Sequence, residues 1–399
     1  MKSILPMKNT IQEYAWGSHT AIADLLGLPV PSKQPQAELW MGAHPKAPSM
    51  VAVNADWHPL NQLIAESPDE FLGHSTAMRF GSRLPYLFKI LASARPLSIQ
   101  AHPNLEQARE GFDRENREGI ALDAPNRNYR DDNHKPEILC AVTPFWALCG
   151  FRPIDEMLSL FSQLEITGLK AQIHDLAAHP GPDGLHRCFE SLMGLDTERK
   201  SRVTAQAVEK ARRLVDQDPV FQWITELNDA YPGDIGVLSP VLLNLIELQP
   251  GQAISLSAGE LHAYLEGTGI ELMANSDNVL RGGLTSKHMD VPELIKVLTY
   301  TPRRVSVLEP RQVRETEERY RTIADEFTLS RITLKPGGIH SSEEIRSTEI
   351  LLCMAGKVTF VGDAEDTSVS KGMSVLVQAA AAPYIIKGEG VLYKAAVPL

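Results

Sequence analysis

Polar and apolar positions alternate through residues 95–104. In an extended strand, that spacing sends Ser98, Gln100 and His102 to one face and Leu97, Ile99 and Ala101 to the other. Pro103 would stop the ladder and Asn104 favours a turn, so the polar face falls near the strand's end. A hydroxyl, an amide and an imidazole in line suit half of a metal or polar-ligand site. They suit a surface strand equally well.

The same period recurs along the chain. Residues 137–142 read as a strand entered through Pro136, where a missing N–H is tolerable. His262 and Tyr264 share a face against Leu261, Ala263 and Leu265, and Glu271, Met273 and Asn275 oppose Ile270, Leu272 and Ala274. Residues 84–91 read as a buried strand, while 60–79 and 105–118 carry helical spacing. Between 154 and 231 the period is three and four throughout, which predicts an all-helical insertion, with Asp155 and Asp196 placed as helix caps. His174, His179 and His186 lie in it without metal-ligand spacing. Asp290 caps one further helix, with Pro292 in its first turn. From 321 to 399 short alternating strands joined by glycine turns predict a β-sandwich or jelly roll. Its only histidine is His340, so it reads as a structural or substrate-covering unit.

Composition narrows the partners. The chain has 399 residues, 43% of them apolar and 22% charged, enough for two or three domains with real cores. A formal charge of −11 argues against nucleic acid as the main partner. Cys140, Cys149, Cys188 and Cys353 form no Cys-x-x-Cys pair, so neither a zinc finger nor a disulfide framework is indicated. The first residues lack the apolar run of a signal peptide, and no stretch is long enough to span a membrane. A cytoplasmic location is the expectation.

Three distant segments therefore offer polar side chains on one strand face. If they share a barrel, Gln100, His102, Glu137 and His262 can meet on one divalent ion. Two imidazoles, a carboxylate and an amide oxygen favour zinc or another first-row metal over calcium. Glu137 follows His134 and Lys135, charged residues that elsewhere would be ordinary loop residues.

Three runs carry a more specific signal: Ser98-Ile-Gln-Ala-His-Pro-Asn104, Asn133-His-Lys-Pro-Glu137, and His262-Ala-Tyr-Leu followed by Ile270 through Thr285. Together they resemble the signature segments of the type I mannose-6-phosphate isomerases, a zinc-dependent, cupin-like family, and the resemblance runs over nearly the whole chain. It implies a mainly β fold with a helical insertion, as two cupin or jelly-roll β-domains plus an all-α domain. The division would be 1–153 with 232–320 (catalytic, discontinuous), 154–231 (helical) and 321–399 (metal-free). It also implies one Zn²⁺ per subunit held by Gln100, His102, Glu137 and His262, with Arg281 as the essential arginine. Ser98 and Lys287 would hold the substrate phosphate, and Tyr264 and Trp16 would line the substrate. The partner is then a small sugar phosphate, with no nucleic acid or membrane, and the chain is expected to be a monomer.

The implied reaction interconverts mannose 6-phosphate and fructose 6-phosphate through a cis-enediol. A base is needed near the substrate carbons. The candidates are Lys135, whose ammonium neighbouring cations would destabilise, and the carboxylates Glu271 and Asp277, with Lys135 slightly preferred. His134 is the candidate shuttle between oxygens. A metal-dependent cupin oxygenase and a non-catalytic sugar-phosphate-binding cupin are the alternatives. The first needs no phosphate anchor, and the second would lack proton-transfer groups.

Overall fold

Strand His262–Ala274 runs through the middle of one sheet system and touches four other strands. Its first residues pair with Phe145–Phe151 and with Gln100, and its second half with Tyr86–Ser93 and Glu137–Ala141. Gly267 sits between the halves at φ +133, where a Cβ would lie 2.7 Å from the Pro144 carbonyl oxygen. Only glycine lets the strand pass that neighbour and change partners.

The computed structural model describes residues 3–54, 56–362 and 365–399. Among them, two ten-stranded sheet systems carry the β structure. The first contains the strands just named, together with Glu38–Gly42, Ile99–Ala101 and Leu280–Gly283. The second is built from Thr328–Ser341, Glu349–Val361, Ser374–Val377 and Ile385–Ala396.

The second system also takes in strands from outside residues 321–399. Strand Ile4–Lys8 pairs with Ser374–Val377 and with Met50–Val53, drawing N-terminal chain into the C-terminal sheet. Arg311–Arg314 and Glu317–Arg319 join it as well. Alternation identifies a strand, but the choice of partner is non-local and invisible to it.

Five α-helices from Ile154–Leu164 to Pro219–Ala230 form the insertion. Met157, Leu160, Phe161 and Leu164 bury one stripe of the first, as the three-and-four spacing requires. They join Phe189, Phe221, Trp223 and the back of the first sheet system, including Ile99, Leu148 and Ala263, in one core. Asp196 caps as expected, its carboxylate accepting from the Arg199 amide at 2.8 Å. Asp155 does not cap. It lies in the first turn behind Pro153, where its charge favours the helix end without a cap bond. Asn104 turns the chain by a capping box with Gln107 that starts helix Leu105–Arg117 directly after the polar strand.

Candidate metal and substrate site

Antiparallel register brings the predicted ligands together. Gln100 lies directly opposite His262 on one side and Arg281 on the other, so the three side chains share a sheet face. His102 continues that face two residues on. Glu137 enters from its own strand opposite Met273. His102, Glu137 and His262 form a buried cluster whose ligating atoms lie within 4.8 Å of one another.

The hydrogen bonds around the imidazoles determine their tautomers. His102 Nδ1 is 2.8 Å from the Asn278 carbonyl oxygen, and His262 Nδ1 is 2.9 Å from that of Glu260. A carbonyl only accepts, so each Nδ1 carries the proton and each Nε2 presents a lone pair. Both Nε2 atoms are buried without a hydrogen-bond partner, and that of His102 lies 3.2 Å from Glu137 Oε1. Burial, reinforced by the Lys135 charge, lowers the His102 pKa to about 4; burial also lowers His262. Burial alone would raise Glu137, but Lys135 and the two histidines outweigh it and hold the carboxyl well below its ordinary range. Neutral imidazoles and an ionised carboxylate are the protonation states that a borderline cation such as zinc requires. The donor set fits that ion.

Other expected residues fall into place unevenly. Lys135 Nζ lies 3.0 Å from Glu137 Oε1, so its close neighbour is a carboxylate rather than the cations expected. Tyr264 donates its hydroxyl to Glu137 Oε2 at 3.3 Å. Trp16 packs on the cluster that includes Leu91, Leu139 and Tyr264. Ser98 is half-buried and lies just outside strand Ile99–Ala101. Arg281 is half-buried and Lys287 exposed, and neither side chain has a hydrogen bond or ion pair within the described residues.

Two candidates are committed elsewhere. His134 Nε2 pairs with Glu326 at 2.6 Å, a buried carboxylate of the C-terminal region. Asp277 binds Lys46 at 2.7 Å and His44 at 3.6 Å. Burial would raise its carboxyl, but those two partners hold it well below the usual range, which makes it a poor base.

Residues 4–154 match the catalytic domain of type I phosphomannose isomerase, and residues 162–243 match the helical insertion domain of the same family. Mannose-6-phosphate isomerase of Escherichia coli is 41% identical over 384 residues, covering 96% of each chain. The chain belongs to the type I phosphomannose isomerase family. The human mannose-6-phosphate isomerase is 36% identical over 89% of this chain and 88% of its own. A zinc-bound crystal structure of mannose 6-phosphate isomerase superposes with a TM-score of 0.92 at 37% identity, over 100% of both chains. A phosphomannose isomerase from Salmonella typhimurium, solved as a lysine-to-alanine variant, gives 0.93.

Within this family framework, one network escaped the sequence reading. Lys89 and Glu271 are cross-strand partners, with Lys89 Nζ 2.8 Å from Glu271 Oε2 and 3.7 Å from Glu38 Oε1. Trp40 Nε1 donates to the other Glu38 oxygen at 2.6 Å. Burial opposes the charge of both Lys89 and Glu271. The single ammonium, shared by two carboxylates, is driven upward in pKa, while Glu271, half-served by it, stays raised. A lone lysine inside the apolar run 86–93 was the available signal, since an unpaired charge does not survive in a buried strand.

Proposed function

We propose that this protein is a zinc-dependent aldose–ketose isomerase that interconverts mannose 6-phosphate and fructose 6-phosphate through a cis-enediol. The observation that carries the reading is the buried His102–Glu137–His262 cluster, with its Nε2 atoms free of hydrogen bonds and Gln100 on the same face. These four residues would hold the ion. Zinc bound there would polarise the sugar's oxygens and stabilise the negative charge that develops on them.

The remaining work belongs to the chain itself. Arg281 places a fixed cation beside Gln100, suited to the developing enediolate or the substrate phosphate. Lys287 and Ser98 anchor the phosphate. Lys135 moves the proton between C1 and C2, and Tyr264 steadies the carboxylate of Glu137 beside it. Glu271, ion-paired to Lys89, is the second candidate for that step. Residues 154–231 act as a helical buttress behind the ligand strands, and the C-terminal sheet, completed by N-terminal strands, supports the opposite side. Unpaired Arg281 and Lys287 favour a phosphate-bearing substrate over the oxygenase alternative.

The test is a coupled isomerase assay with mannose 6-phosphate before chelation, after chelation and after zinc restoration. Activity lost and regained is expected, with one zinc per chain by elemental analysis. A zinc-loaded protein that turns over no mannose 6-phosphate would overturn the proposal. Lys135→Met is expected to abolish exchange of the substrate C2 proton with solvent, and unimpaired exchange would move the base to Glu271.

A further inference from the structure

The segment before Lys135 is pinned far more tightly than a solvated loop requires. The Arg130 amide donates to Asn278 Oδ1 at 2.7 Å and the Asp131 amide to the same oxygen at 3.2 Å. Asn278 Nδ2 answers with bonds to the Asp131 and Asn133 carbonyls at 2.8 and 2.9 Å. Asp131 in turn accepts from Ser276 Oγ and from the Asp277 amide. Asn278 is fully buried and lies three residues before Arg281, so the clasp sets the Arg130 backbone against the strand that carries Arg281.

The polar side chains just before Arg130 spend their groups. Arg127 pairs with Glu115, Asn128 with Asp290 and Tyr129 with Glu293. The guanidinium of Arg130 alone among the segment's arginines has no hydrogen bond or ion pair within the described residues. It shares that condition with Arg281 and Lys287. After burial, the Arg130 charge is what lowers the Arg281 pKa, and Lys287 is lowered by burial, Arg281 and Arg130 in turn. Of the nearby acids, Asp131 is committed to amides and a hydroxyl and Asp277 to Lys46 and His44, while the exposed Asp132 makes no ion pair with Arg130 within the described residues. Three mutually repelling cations without a counter-ion, in a chain of net charge −11, oppose folding and persist where a ligand compensates them.

We propose that Arg130 is a third phosphate-contacting cation, positioned by Asn278, which with Arg281 and Lys287 selects a phosphate monoester dianion. This rests on the isomerase reading above. Arginine meets two phosphate oxygens at once, which a solvated lysine does not, so it adds orientation as well as charge.

Arg130→Gln is expected to raise KM for mannose 6-phosphate about 10- to 100-fold, the scale of one lost charge-assisted contact, with kcat within about threefold. The inhibition constant of inorganic phosphate should rise in parallel, and Arg130→Lys should recover part of both. A purely structural role would instead lower kcat and the unfolding midpoint together and show no rescue. KM and phosphate affinity within twofold of the wild type, in a protein that does isomerise mannose 6-phosphate, would overturn the assignment. Should the wild type fail as an isomerase, calorimetric titration of the wild type and Arg130→Gln with inorganic phosphate still decides the Arg130 question. Equal affinity there refutes it, and should Arg130→Gln not fold, the same titration with Arg130→Lys decides it.

Discussion

Replacing Lys89 by methionine keeps most of its volume and removes its charge, which strands Glu271 and Glu38 inside the catalytic sheet. Their side chains are only 5% and 10% exposed, against 7% for Lys89. At an effective dielectric constant of about 20, contacts of 2.8 and 3.7 Å correspond to gross attractions of about 6 and about 4.5 kcal/mol. Much of that is offset by the desolvation of the three ions, and the net loss on removing one partner of such a pair is about 3–5 kcal/mol. Glu38 keeps its bond from Trp40, so the greater strain falls on Glu271. The loss should shrink as pH falls through the carboxylate range. The stranded Glu271 then takes up a proton in the folded state that the unfolded chain binds only at lower pH, so protonation favours folding. Guanidinium unfolding at pH 7 and pH 5, followed by tryptophan fluorescence with Trp40 inside the network, measures both effects. Lys89→Met/Glu271→Gln should recover part of the loss. A single variant within about 1 kcal/mol of wild type at pH 7 would refute the account of a strongly coupled buried pair.

Two further outcomes follow from the same geometry. Arg281→Gln should retain the metal content of the wild type but lose about 100- to 1,000-fold in kcat/KM, the scale of one fixed charge lost from the substrate's anionic groups; steady-state kinetics beside elemental analysis checks it. In the C-terminal sheet, burial and the nearby Lys394 charge lower His340 from its ordinary value to about 4. The unfolded chain binds that proton first, so His340 costs stability as pH falls from about 6.5 towards 4, and the melting temperature of His340→Gln should fall less than the wild type's over that window.

The strands that carry the proposed ligands were legible because a two-residue period reports which side chains share a face. Gln100 and His102, and His262 with Tyr264, were therefore paired correctly by spacing alone. Their mutual approach was not in the pattern. It comes from register, Gln100 facing both His262 and Arg281, and register is decided between segments far apart in the chain. The same reason hid the fate of His134 and Asp277, whose partners Glu326 and Lys46 lie far away in sequence. Lys89 was hidden differently. Its position inside an apolar strand was visible, but only the cross-strand Glu271 explains why the charge is tolerated there. The helical insertion was the most legible part, because its stripes are local and need no partner to be recognised.

The pairing of Ile4–Lys8 with Ser374–Val377 bears on how the molecule is made. Synthesis is vectorial, so Ile4–Lys8 leaves the ribosome long before the strand Ser374–Val377 that it pairs with. Met50–Val53 can cover one of its edges early, but the other stays open until Ser374–Val377 has emerged. A pairing between strands so far apart in sequence closes late and slowly. A shortened product that ends before Ser374 would therefore leave one edge of Ile4–Lys8 unpaired, a mark by which a quality-control protease could recognise an unfinished chain.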